Sequence, residues 1–116
     1  ELLALGREVG WDTLEAFNEQ WFDYSEERMV GAIRQLPAGS ATRTSTHDAI
    51  PGTPEDGITI TSKVTIDPDG GEVTVDLMDN PDAQPCGLTL SEACARTAAM
   101  VGVFNSIDHS VPKNAG

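Results

Sequence analysis

The chain has 116 residues, room for one domain and not two, with 39% apolar and 22% charged residues, eleven glycines and seven prolines. That composition fits a folded domain with a modest core and many loops, and excludes collagen, coiled coil and a disordered acidic tail. Nineteen acidic against seven basic residues leave a net charge of −12, which argues against nucleic acid or an anionic membrane surface as partner, since both require clustered Lys and Arg.

Leu2, Leu3, Leu5 and Val9 form a short helical pattern ended by Gly10 and weakened by Gly6. Asp12 then offers an N-cap, with Glu15 three residues later as the return arm of a capping box. From there to Leu36 the period is helical, about six to seven turns. Leu14, Phe17, Trp21, Phe22, Tyr24, Met29, Ala32, Ile33 and Leu36 share a half-turn arc that is expected to be core. Pro37 and Gly39 end the helix. Residues 40–47 alternate, with Thr42, Thr44 and Thr46 on one face of an expected strand. Residues 48–57 are a loop rich in Pro and Gly. Ile58, Ile60, Val64 and Ile66 alternate with Thr59, Thr61, Lys63 and Thr65, the clearest strand in the chain. Asp67-Pro68-Asp69-Gly70-Gly71 is a turn, and Val73, Val75 and Leu77 return as the second arm of a hairpin. After a Pro-interrupted loop, a helix is expected near Leu88 to Ile107. It carries Leu90, Ala93, Cys94, Thr97, Ala98, Val101 and Phe104 on one face and Ala95, Ala99 and Val103 on the other, suited to close packing on two sides.

These elements predict a single α+β domain over 1–116, with helices over about 1–36, strands over about 40–78 and a helix over about 88–107. Its architecture is a small antiparallel sheet of about three strands with helices packed on one face. No apolar run is long enough to span a bilayer, and no signal peptide is in view. The chain opens at Glu1 and stops at Gly116 without a natural-looking end, so it is expected to be a piece of a longer protein. Two cysteines cannot make a disulfide framework. Cys94 reads as a small core residue and Cys86, in a Pro-Cys-Gly turn, as the more accessible one. Both are expected to be reduced, in a cytoplasmic setting.

Four groups of residues have the composition for chemistry. The acidic series Asp67, Asp69, Glu72, Asp76, Asp79, Asp82 superficially resembles a calcium loop, but its flanks are strands where an EF-hand needs helices. Ser45, Thr46, His47 and Asp48 supply a hydroxyl, an imidazole and a carboxylate, yet neighbours on a strand point to opposite faces. Asp79-Asn80-Pro81-Asp82 with Gln84, Pro85, Cys86 and Gly87 is a polar loop running into a helix N-terminus, suited to capping the helix or to holding an anion or carbonyl oxygen. Asn105, Asp108, His109 and Asn114 follow the last helix, and an imidazole there can serve as base, donor or ligand.

Several separated segments carry a family resemblance. They are Asp76-Leu77-Met78-Asp79-Asn80-Pro81-Asp82, Pro85-Cys86-Gly87-Leu88, Leu90-Ser91-Glu92-Ala93, Ala95-Arg96-Thr97-Ala98-Ala99 and Gly102-Val103-Phe104-Asn105-Ser106-Ile107-Asp108-His109, with Val111-Pro112-Lys113-Asn114-Ala115-Gly116 at the end. Gly10-Trp11-Asp12-Thr13, Asp23-Tyr24-Ser25-Glu26-Glu27-Arg28-Met29 and Leu36-Pro37-Ala38-Gly39 add to them upstream. Together the sequence resembles the hydantoinase B family, with the last segment similar to its Pro-x-Asn-x-Gly loop. Many relatives carry a Gly-containing loop where Asp79-Asn80-Pro81-Asp82 stands here, which leaves the substrate open.

The resemblance implies a B-type subunit of an ATP-dependent N-methylhydantoinase, a 5-oxoprolinase or a related acetone carboxylase, several times longer than this chain. It implies a hydantoinase A-like partner that binds and hydrolyses ATP and activates the substrate by phosphorylation. The B-type subunit then needs positioning groups and oxyanion donors more than a strong nucleophile. Asn80, Asp82, Cys86, His109 and Asn114 are the candidates for substrate-facing or interdomain residues, no catalytic step being assigned to any of them. Some relatives bind a divalent metal through Asp and His elsewhere in the protein, and no metal ligand is carried over to this chain. Two other readings stand beside the enzymatic one: an assembly module making contacts between domains or subunits, and an acidic domain that binds a basic protein.

Overall fold

The computed structural model describes residues 1–114. Ala115 and Gly116, the end of the Pro-x-Asn-x-Gly stretch, lie outside the described residues. Gly10 takes φ 87°, a conformation costly for any side chain, and separates α1 (Leu2–Val9) from α2 (Trp11–Ile33). The capping box expected at Asp12 and Glu15 does not form: α2 starts at Trp11, Gly10 is its N-cap, and no side chain caps it. Trp11 explains the earlier start. Its indole covers the buried Gly6, where a β-carbon would collide with the ring. The glycine that weakens α1 by propensity is therefore what lets α1 dock on α2. Asp12 falls in the first turn, where its charge meets the positive end of the helix dipole. The helix stops at Ile33, short of Leu36. Gln35 and Leu36 donate to Ala32 and Ile33 in a tightened last turn before Pro37.

Three antiparallel strands follow in the order β1 (Gly39–His47), β2 (Ile58–Asp67), β3 (Glu72–Asp76). The register pairs Ala41 with Val64 and Val64 with Val75, Ser45 with Ile60, and Ile66 with Val73. Period-two alternation then sorts the faces. One carries Ile58, Ile60, Val64, Ile66, Val73 and Val75. The other is a field of Thr and Ser, tied across strands by Ser40–Thr65 (3.1 Å) and Thr46–Thr59 (2.9 Å) hydroxyl pairs. The β2–β3 turn forms where expected. Gly70 N–H donates to Asp67 Oδ1 (3.0 Å), Gly71 takes φ 69°, and Gly71 lies against Val30 of α2.

The last helix, α3 (Glu92–Ser106), begins four residues after Leu88. Ser91 caps it, accepting from Cys94 N–H at 3.3 Å, while Leu88 and Thr89 belong to a turn in which the Thr89 hydroxyl donates to Gln84 O.

Three helices and a three-stranded antiparallel sheet make the α+β fold that the patterning predicts, but the core is small. Among the described residues the buried large apolar side chains are Ile33 and Val111. The Cα radius of gyration is 18.9 Å, against about 13 Å for a compact chain of this length. The aromatic arc of α2 is not core: Phe17, Trp21, Phe22 and Tyr24 are exposed. No other element lies over them, so they cover one another, with ring centroids 6.1 Å apart for Phe17–Trp21 and 5.6 Å for Trp21–Tyr24. Cys94 is likewise exposed rather than core, and Cys86 is the more sheltered thiol.

Candidate functional site

An open groove of about 770 Å³ separates the apolar face of the sheet from α3. Its floor is Ile58, Ile60 and Val64 of β2 with Val75 of β3. Its wall is the small-residue side of α3, including Ala95, Ala99 and Gly102. Two-sided close packing of α3 is therefore not realised: short side chains on one side leave a space, and Met100 and Val101 on the other are exposed. The loop between β3 and α3 closes one end and brings the polar groups of Asn80, Asp82 and Gln84 to an otherwise hydrocarbon surface. A volume of this size falls within the range of small-molecule sites, about 300–1,000 Å³, and the pattern of apolar walls with a few polar groups is theirs too.

Asn80 is the most constrained of the five sequence candidates. Its Oδ1 accepts from Thr61 N–H (2.6 Å), and its Nδ2 donates to Thr61 O (2.7 Å) and Leu77 O (2.8 Å). The primary amide thus stands in for one more residue of β3, pairing with β2 where that strand has ended. Asp82 is exposed at the groove, and its carbonyl accepts from Gln84 Nε2. Cys86 lies beside the groove loop, next to Gly52 of the β1–β2 connection. His109 is exposed on the bend after α3. Asn114, after α3, lies against α2, donating through Nδ2 to Ser25 Oγ (2.7 Å) and Trp21 O (3.2 Å). Asn80 and Asp82 therefore share the groove, while His109 and Asn114 belong to a second neighbourhood against α2.

That second neighbourhood is polar and tightly knit. Arg28 Nη2 donates to Asp108 Oδ2 and to Ser110 Oγ, each at 3.1 Å, while Nη1 donates to Tyr24 Oη at 2.9 Å. The Asp108 carboxylate also accepts from the Ser110 hydroxyl (2.6 Å) and backbone N–H (2.9 Å). These Ser110 bonds, with help from Arg28, hold the Asp108 carboxyl down at about 2, and Asp108 and Tyr24 raise the Arg28 guanidinium above its ordinary value.

Sequence reasoning singled out Asp108 and Asn114 without their partners Arg28 and Ser25. A signal was present: at 100° per residue Arg28 and Ser25 fall, with Asn18, inside the aromatic arc of α2, polar groups where an all-core face would have none. Among the described residues no three of His, Cys, Asp and Glu are placed to hold a metal ion. The acidic turn at 67–71 uses the Asp67 carboxylate to cap Gly70. In the Ser45–Asp48 stretch, His47 Nδ1 lies 2.8 Å from the backbone carbonyl of Asp48. Thr46 points to the opposite face of the strand, bonded to Thr59.

A one-sided sheet faces an apolar groove, and the polar residues around it are divided between two loops. The chain matches the family described as Hydantoinase B/oxoprolinase over residues 1–116, and it belongs to that family. It is 30% identical, over 119 aligned positions, to a Pseudomonas sp. (strain NS671) protein named as the B-type subunit of a "Putative D-/L-hydantoinase". That alignment covers 92% of this chain and 19% of the relative, so the chain spans about a fifth of the length of the curated protein it matches. No solved structure matches it. Among the described residues no helix is long and apolar enough to cross a membrane.

Proposed function

We propose that this chain is part of a B-type subunit that opens cyclic amides of the hydantoin or oxoproline kind, in a cytoplasmic complex with an ATP-consuming A-type subunit. The observation that carries the reading is the family match along the whole chain, together with a relative named as the B-type subunit of a hydantoinase. ATP bound by the partner would supply a phosphoryl group, which makes an unstrained ring amide a better electrophile. The residues of this chain have the quieter work. The apolar floor and wall of the groove receive the non-reacting part of a ring substrate and keep water from it. Asp82 and Gln84 sit where the mouth of the groove meets its polar end. Asn80 holds the edge of β2 in place, a positioning role.

The framework reading has its own support in the exposed aromatic side of α2, Phe17, Trp21 and Phe22, because surfaces of that kind mark contacts with other protein. Substitution in the intact protein with its partner subunit separates the two. Under the enzymatic reading Asp82→Asn and His109→Asn lower hydantoin ring opening while size-exclusion shows the complex intact. Under the framework reading Phe17→Ser and Trp21→Ser dissolve the complex, and Asp82→Asn leaves turnover unchanged. Ring opening that proceeds at full rate without ATP or without the partner overturns the proposal.

A further inference from the structure

Residues 107–114, after α3, form no helix or strand, yet they stay against the molecule. The segment 108–114 lies along α2 and is hydrogen-bonded to it at both ends. Arg28 holds its start through Asp108 and Ser110. Val111, 2% exposed, is one of the two buried large apolar residues among those described. Asn114 reaches Ser25, itself 2% exposed, and the Trp21 carbonyl. Its own backbone contributes little, a 3.4 Å bond from Val111 N–H to Asp108 O. A segment with so little backbone support takes its path from its side-chain attachments.

We infer that residues 108–114 are a latch closed on α2, and that Arg28 and Asn114 are the positioning residues that set the bend carrying His109. Three observations support this. Arg28 is itself pre-set: Tyr24, one turn earlier, takes one arm of the guanidinium at 2.9 Å, with the cation 5.8 Å from the ring centroid, and the other arm is left for Asp108 and Ser110. The bend is locked from inside as well, since both the hydroxyl and the N–H of Ser110 close on the Asp108 carboxylate, leaving His109 at the apex between them. Finally, Ser25 is occupied on both sides: its hydroxyl donates to Trp21 O at 2.9 Å within α2 and accepts from Asn114, so the latch fills the acceptor side of a hydroxyl that the helix alone satisfies only as a donor. The latch thereby makes α2, and not α3, the element that determines where the imidazole stands. Any bearing of this on turnover rests on the reading of His109 as a substrate-facing group.

The test uses the intact protein with its partner. Hydrogen exchange is followed in the peptide covering 108–114, and carbethoxylation of His109 by diethyl pyrocarbonate is followed by mass spectrometry. Arg28→Met and Asn114→Ala are each expected to speed exchange in 108–114 about tenfold or more, since each removes charge-assisted or buried hydrogen bonds. They should also change the His109 modification rate while peptides of β1 to β3 exchange as in the parent. Arg28→Lys, which keeps the charge, should recover part of both effects, a rescue that a merely space-filling role would not give. Unchanged exchange and unchanged His109 reactivity in Arg28→Met and Asn114→Ala overturn the latch. The functional reading is decided separately by His109→Asn: undiminished ring opening in that variant removes His109 from the reaction, whatever the exchange experiment has said about the latch.

Discussion

Asn80 illustrates how much of the site depends on single polar groups doing backbone work. Both of its amide donors and its oxygen are engaged by Thr61 and Leu77. Asn80→Ala leaves the N–H and C=O of Thr61 without these partners in a half-buried position, and is expected to cost about 1–3 kcal/mol. The measurement is denaturant unfolding, with faster exchange at Thr61 as the local sign. Asp108 sets a different dependence. Its carboxyl is held at about 2, below the ordinary 3.8, so the charged form is the one the fold favours. The contribution is complete above about pH 4 and fades as pH falls towards 2. Protection of 108–114, corrected for intrinsic exchange, should decline over that interval in the parent and stay flat in Asp108→Asn. A parent profile as flat as the variant's would remove the assignment.

The elements themselves were largely legible in the residues. The alternation from Ile58 to Ile66 and from Val73 to Val75 predicts the hairpin, its turn and its two unlike faces, because side-chain direction in a strand repeats every two residues whatever lies around it. Gly71 shows the local logic most plainly: φ is 69°, and an added β-carbon would stand 2.8 Å from Val30 Cγ1. Gly71→Ala should destabilise the β2–β3 hairpin by about 1–2 kcal/mol from backbone strain alone, with further loss from displacing Val30. Thermal unfolding together with exchange at Val64 and Val75 would read it, and a variant as stable as the parent would mean that the turn relaxes to another type. Helix ends were less legible. Asp12 and Glu15 have the spacing of a capping box, yet Trp11 on Gly6 moves the start of α2. A ring contact between two neighbouring helices outweighs a cap worth about 1 kcal/mol.

Across the molecule as a body, the sequence misleads about burial. The period of α2 marks an aromatic stripe as core, and Cys94 as well, yet both are exposed in a body measuring 58 × 38 × 20 Å. Periodicity identifies the side of a helix that favours burial, and says nothing about whether another element arrives to bury it. The groove has the same origin, small residues on α3 facing aliphatic ones on β2 across a space of about 770 Å³. The 116-residue chain is expected to bind an apolar dye such as anilinonaphthalene sulfonate there. Ala99→Phe, which fills the groove, should lower that fluorescence, whereas Thr74→Phe on the Thr-rich face should not. Equal dye binding by all three proteins would place the dye elsewhere, with the α2 stripe next in line.

The α+β class, the order of elements, the hairpin with its one apolar face, and the family could all be read from the residues, because each is written in short-range pattern or in residue identity. Only the folded chain brings Arg28 to Asp108 and Asn114 to Ser25 across eighty residues or more, sets Asn80 on the edge of β2, and leaves α3 clear of the sheet. Such meetings depend on the path of the whole chain. A carboxylate or an amide has the same local signature whether its partner is water or a residue brought back from the far end of the sequence.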